Sequence, residues 1–204
     1  MSKKYIIPVK KHIFLTVALP AGQSTREYRV KSGVTLSLLL TGTGSFDARV
    51  TVRLAGRGAA ATITGIFTAT ADTKQKLHTM QIHEAPGTTS NLLVKTVLSG
   101  RAAFLYDGGI RIEKSAQTSD AYQRNENLLL SGTPHAESKP TLEILADDVR
   151  CTHGAASGPA DPDGVWYLET KGMSKEQSTA LIAQGFIQSA LDRIPVAKRG
   201  IISL

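Results

Sequence analysis

The residues with the most chemical reach lie close together in Asp147-Asp148-Val149-Arg150-Cys151-Thr152-His153. Cys151 and His153 are two positions apart, so on a strand their side chains share a face. Thiolate and imidazole both ligate iron, and a neighbouring imidazolium lowers a thiol pKa. Two donors make only half of a four-ligand cluster site, so a second chain would have to bring the rest. The same spacing also fits plain packing, with Val149, Cys151 and His153 on one apolar face, because cysteine is among the most buried residue types. Asp147 and Asp148 are neighbours, so on a strand they diverge. They suit a turn better than the acid/base pair of a carbohydrate-acting enzyme. Gln123, Asn125 and Asn127 share a face and are expected to form a stacked amide ladder rather than line a groove. His78 and His83 are an odd number of residues apart and fall on opposite faces, which is poor metal-ligand geometry.

Other motifs are missing. Cys151 is the sole cysteine, which excludes an intrachain disulfide and a Cys-x-x-Cys metal site and fits a reducing cytoplasm. Gly56-Arg57-Gly58 lacks the Lys-Ser/Thr of a phosphate-binding loop, so no nucleotide is expected on this chain.

These residues need strands to position them. Residues 34–151 read as short runs such as Arg49-Val50-Thr51-Val52-Arg53-Leu54 and Leu92-Leu93-Val94-Lys95-Thr96-Val97-Leu98, many alternating apolar with polar. Turn signals punctuate them, including Ala85-Pro86-Gly87 and Asp107-Gly108-Gly109. Many short, regularly spaced strands imply a sandwich, a barrel or a β-solenoid. Asn-Gly hairpin signals are missing, and aromatic residues are only 5% of the chain. Both features favour stacked coils with small cores. Ser174-Lys175-Glu176-Gln177 reads as a capping box opening a helix from about 175 to 193, with Pro195 behind it. One stripe of that helix can pack on the body, and the extra apolar width suits either a partner or burial within the same domain.

Charge bounds the partners. The 204 residues carry a net charge of +7, concentrated at the ends, with Lys3, Lys4, Lys10 and Lys11 in the first twelve positions. Basic residues do not interleave with aromatics, so no nucleic-acid platform is expected. The run 13–19 after Lys10-Lys11 is too short and too interrupted for a secretion signal and reads as an opening strand. No apolar stretch reaches the roughly 18 residues of a spanning helix, so no membrane partner is expected.

From His78 to Phe186 the sequence resembles the SufB/SufD family, the scaffold subunits of the SUF iron–sulfur cluster assembly system. The matching pieces run in order. They are the Gln/Asn-rich stretch 116–131, Lys139-Pro140-Thr141-Leu142-Glu143-Ile144, the block 146–155 containing Cys151-Thr152-His153-Gly154, and Trp166-Tyr167-Leu168-Glu169-Thr170-Lys171-Gly172-Met173. His83-Glu84-Ala85-Pro86 and Ser90 fit the more variable upstream coils. Cys-x-His-Gly is similar to SufD rather than SufB.

The resemblance implies a mainly β fold, a right-handed parallel β-helix (β-solenoid) with a small C-terminal helical subdomain. The expected boundaries are a flexible basic lead at 1–12, a β-helix core at 13–165 and helices at 166–204. It implies a non-catalytic, cytoplasmic SufD-like scaffold. Such a chain would hold an iron–sulfur cluster transiently at an interface, with Cys151 and His153 as its ligands. It would dock a SufC-type ABC ATPase and pair with a SufB-like chain or with itself. Leu181, Phe186, Ile187, Ser189 and Ala190 are the expected ATPase-docking residues. The chain departs from the family in its single cysteine, its shortness and its missing N-terminal helical region. Two other readings stand beside this one: a β-helix carbohydrate-acting enzyme, and a purely structural solenoid that assembles edge to edge.

Overall fold

The computed structural model describes residues 5–195. Twelve strands alternate between two parallel sheets. The first holds β1 (Tyr5–Val9), β3 (Gly22–Val30), β5 (Phe46–Leu54), β7 (Lys74–His83), β9 (Ala103–Ile112) and β11 (His135–Ile144), hydrogen-bonded in that order. The second holds β2 (Ile13–Leu19), β4 (Thr35–Gly42), β6 (Ala60–Ala69), β8 (Thr89–Leu98), β10 (Ser119–Leu129) and β12 (Val149–Pro159). The chain crosses between sheets at every turn, so each strand stacks on the one a full coil earlier. This is a β-solenoid, as expected.

Period-two alternation builds the interior. In β5, Phe46, Ala48, Val50, Val52 and Leu54 point inward and are nearly inaccessible, while Asp47 and Arg49 face out. The main core gathers the inward residues of β3–β6 with Leu77, Leu92, Val94, Phe104 and Tyr106. Positive φ values at Gly33, Gly58 and Gly87 mark the tight turns between the sheets, where a Cβ would be strained.

Two helices follow the last coil. α1 (Pro162–Thr170) starts on Asp161, whose carboxylate accepts from the Asp163 N–H. α2 (Lys175–Leu191) opens with the expected capping box. The Gln177 N–H donates to Ser174 Oγ at 3.2 Å, and the Ser174 N–H donates to Gln177 Oε1 at 2.9 Å. Ile187, Ala190, Leu191 and Ile194 then cover Leu39, Ile66, Leu93, Val97 and Leu128 on the outer face of the second sheet. Burying these side chains holds the helix to the solenoid, the isoleucines and leucines contributing about 1.5–3 kcal/mol each if fully buried.

The boundaries differ from the sequence expectation in two places. β1 begins at Tyr5, within the segment expected to be a flexible lead, because Ile7 and Val9 face the core. The helical part begins at Pro162 rather than at 166, since Asp161 with Pro162 behind it makes an earlier helix start. Among the described residues no helix is long and apolar enough to cross a membrane.

Candidate functional site at the C-terminal mouth

β11 and β12 are the last strands of their sheets, and among the described residues neither has a partner on its outer side. Their edges are not equivalent. The His135 N–H donates to Ala102 O and the Leu145 N–H to Ile112 O, so the odd residues of β11 bond inward to β9. The even ones, Pro140 included, face the free edge, and proline has no N–H to offer there. In β12 the Thr118 N–H donates to Asp148 O, which turns the even positions toward β10. Positions 149, 151, 153, 155 and 157 therefore present backbone N–H and C=O groups to the free edge, with proline arriving only at Pro159. The sequence places Cys151 and His153 on the open edge of the pair.

Register fixes what they sit on. Cys151 stacks on Ala121, His153 on Gln123 and Ser157 on Asn127. Asn127 Nδ2 donates to Ser157 Oγ at 2.9 Å, confirming that these odd positions turn inward. Cys151 is half-buried against Ile110, Ile112, Ala121 and Val149, whereas His153 is exposed. The two residues thus line one face, as their spacing requires, but in different surroundings. Burial first and the nearby Asp120 charge second hold the Cys151 thiol above its usual range, so it is predominantly protonated at neutral pH. A neighbouring imidazolium would lower a thiol pKa. The apolar packing and Asp120 both act the other way.

The amide residues are also corrected. Gln123, Asn125 and Asn127 all point inward and are fully buried, but they do not form a stacked ladder. Their neighbours in β8 are Leu92, Val94 and Thr96. Instead they bond within and across the last coils. Asn127 Nδ2 donates to Asn125 Oδ1 at 2.9 Å, the Ser138 hydroxyl donates to Asn125 Oδ1, and Gln123 Nε2 donates to Gly108 O at 3.1 Å. A side chain at Gly108 would collide with Gln123 and Tyr106, which accounts for glycine there. Just below, His83 is fully buried. Nδ1 lies 2.7 Å from Thr88 Oγ1 and Nε2 lies 2.8 Å from Ser90 Oγ. Burial holds its pKa down to about 4, against a weaker raising effect from Asp120, so the ring is neutral. His78 lies on the opposite face, as expected, between Asp107 at 3.1 Å and Asp47 at 3.4 Å.

No cluster of three or more His, Cys, Asp or Glu side chains suited to a metal forms among the described residues. Cys151 and His153 remain a pair. Asp147 and Asp148 sit in the turn before β12.

The five helix residues separate by environment. Ile187 and Ala190 are buried against the chain's own sheet, so they are covered in this conformation. Phe186 is half-buried beneath Lys95, whose Nζ lies 4.2 Å from the ring centroid. Lys95 also pairs with Glu126 at 2.8 Å and donates to Ser189 Oγ at 2.6 Å. Leu181 is well exposed and is the exposed apolar residue of the five; Ser189 is exposed as well. Trp166 and Tyr167 on α1 are also exposed, at 66% and 57%, and neither was singled out as an anchor from the sequence, although tryptophan and tyrosine are enriched at interface hot spots.

The sequence matches the family model described as SUF system FeS cluster assembly, SufBD core domain, over residues 22–186. The chain belongs to the SufBD family. It is 34% identical over 112 residues to an iron–sulfur cluster assembly SufBD family protein of Synechocystis, covering 55% of this chain and 25% of that one. It is 34% identical over 97 residues to the iron–sulfur cluster assembly protein SufD of Escherichia coli, covering 48% and 23%. With SufD of Bacillus subtilis the identity is 26% over 175 residues, covering 85% and 40%. The chain therefore spans less than half the length of each of these relatives. Of the described elements, β1 and β2 lie ahead of the family match.

Proposed function

We propose that this SufBD chain is a non-catalytic, SufD-like scaffold of iron–sulfur cluster assembly, working in the cytoplasm. It pairs through its C-terminal mouth with a SufB-like chain or a second copy, and it docks a SufC-type ABC ATPase through its helices. The observation that carries this reading is the incomplete donor pair at an open strand edge. Cys151 and His153 lie where a strand from another chain would add alongside β12 and bring further ligands beside them. The exposed imidazole is the readier donor. The thiol needs its proton removed, which iron binding itself favours. The cluster is cargo, handed on rather than kept.

Helix docking is carried by Leu181, Trp166 and Tyr167, because Ile187 and Ala190 already hold α2 to the solenoid. Ser189 and Phe186 position α2 through Lys95.

Size-exclusion chromatography with the same organism's SufC-type ATPase tests the partner claim, using wild type, Leu181→Asp and Trp166→Asp. A complex with wild type that both exposed-site variants lose, with unchanged circular dichroism, is the expected result. Absence of a complex with wild type removes the docking claim.

A further inference from the structure

The opposite end of the solenoid, ahead of the family match, carries its own surface. Lys10 and Lys11 lie in the turn between β1 and β2, Lys31 in the turn between β3 and β4, and Arg57 in the turn between β5 and β6. Backbone bonds stack these turns: the Lys31 N–H donates to Val9 O at 3.1 Å and the Gly33 N–H to Arg57 O at 2.9 Å. All four side chains are exposed, and none forms an ion pair among the described residues. The same column of turns is acidic at the far end, with Asp147 and Asp148.

Beside the cations is a strand edge that is open among the described residues. The Ala60 N–H donates to Val34 O at 2.9 Å, which turns the even positions of β4 toward β6 and the odd ones toward β2. Register then directs the backbone groups of Phe14, Thr16 and Ala18 to the free side. None of the three is proline. The neighbouring edge of β1 is blunted, because Val9 bonds to β3 and Pro8 faces outward without a donor.

We infer that the free edge of β2 takes an extended, acidic segment of a partner protein, which adds as a strand along residues 14–18 and lays its carboxylates over Lys10 and Lys11, with Lys31 and Arg57 behind. Charge selects this occupant. The chain's own residues 196–204 contain Lys198 and Arg199 and no acidic residue. A second copy stacked head to tail would set Asp147 and Asp148 over the lysines. It would also press His153, Ala155 and Ser157 against Ile13, Leu15 and Val17, in a contact that repeats without closing. A nucleic acid has no backbone groups that continue a β-ladder.

Fluorescence anisotropy with the labelled peptide Asp-Asp-Val-Thr-Val-Thr-Val-Asp-Asp tests this on the full chain. Wild type binds it, and Lys10→Glu/Lys11→Glu weakens binding by about tenfold or more, as does raising salt to about 0.5 M. The same peptide N-methylated at alternate valines loses binding to wild type, a test that leaves the protein unaltered. Equal binding of the N-methylated peptide, or of one with lysines for aspartates, overturns the proposal. A short oligothymidylate that competes as strongly overturns it in favour of a simple polyanion site. Concentration-dependent polymers abolished by Asp147→Lys overturn it in favour of head-to-tail copies.

Discussion

Through β4, β5 and β6 the solenoid interior is lined by Leu36, Leu38, Leu40, Phe46, Val50, Val52, Leu54, Ile63 and Phe67. Through β10, β11 and β12 the same inward positions hold Gln123, which bonds to Gly108 O, and Asn125, Asn127, Ser138 and Ser157, which are joined to one another by hydrogen bonds. The architecture is identical and the chemistry is not. Stacked strands impose the alternation and leave the choice of inward residue open. The apolar half gains stability by excluding water, without directional demands. The polar half needs each donor matched, and its buried hydrogen-bonded side chains lie beneath the mouth where Cys151 and His153 sit.

That contrast can be broken by mutation. Leu38→Ala, at a fully buried site in the apolar half, is expected to lower stability by about 2–5 kcal/mol in chemical denaturation. A loss below 1 kcal/mol would show a loosely packed interior there. His83, at the end of β7 below that polar layer, should instead respond to acid. The folded pKa of His83, about 4, lies below its ordinary value of 6.5, so the unfolded chain binds the extra proton between those values. Stability contributed by the neutral ring is complete above about pH 6.5 and declines as pH falls toward 4, by about 3 kcal/mol in total. Denaturation midpoints across this window should flatten in His83→Gln; an unchanged slope would assign the effect elsewhere.

Smaller effects sharpen the comparison further. Asn125→Ala removes the acceptor shared by the Asn127 amide and the Ser138 hydroxyl and should cost about 1–3 kcal/mol. Asn125→Leu/Asn127→Leu is expected to cost less than twice that, because both partners become apolar together. The smallest is chemical: alkylation of Cys151 by iodoacetamide at neutral pH should be slower than that of a free thiol, and Asp120→Asn should speed it modestly. A fast reaction unaffected by Asp120 would mean the thiol is not held protonated.

Much of this was legible in the chain. Alternation with Gly- and Pro-marked turns identified stacked strands, and Ser174 with Gln177 marked the start of α2 to the residue. The parity of 151 and 153 placed both on one face. The environment of Cys151 was not legible, since Asp120 and the packing around Ile110 and Ile112 come from strands a coil away. The amide network was misread for a related reason. A shared face says which way Asn125 and Asn127 point, but their partners Ser138 and Ser157 lie on two other strands. Helical periodicity showed which residues of α2 are apolar, not that Leu93 and Val97 of the same chain would cover them. Proline edges were readable in principle: Pro8 and Pro140 fall on the end strands of one sheet, and the end strands of the other are open until Pro159.

The central claim is that the C-terminal mouth completes its donor set only with a second chain. Anaerobic reconstitution with ferrous iron and sulfide, followed by visible absorption and by size, tests it directly. The account predicts no cluster on the isolated monomer. It predicts a cluster on the complex with a SufB-like chain, lost in His153→Ala while the complex itself persists. A monomer that holds the cluster alone, or a complex whose cluster is unaffected by His153→Ala, would contradict it.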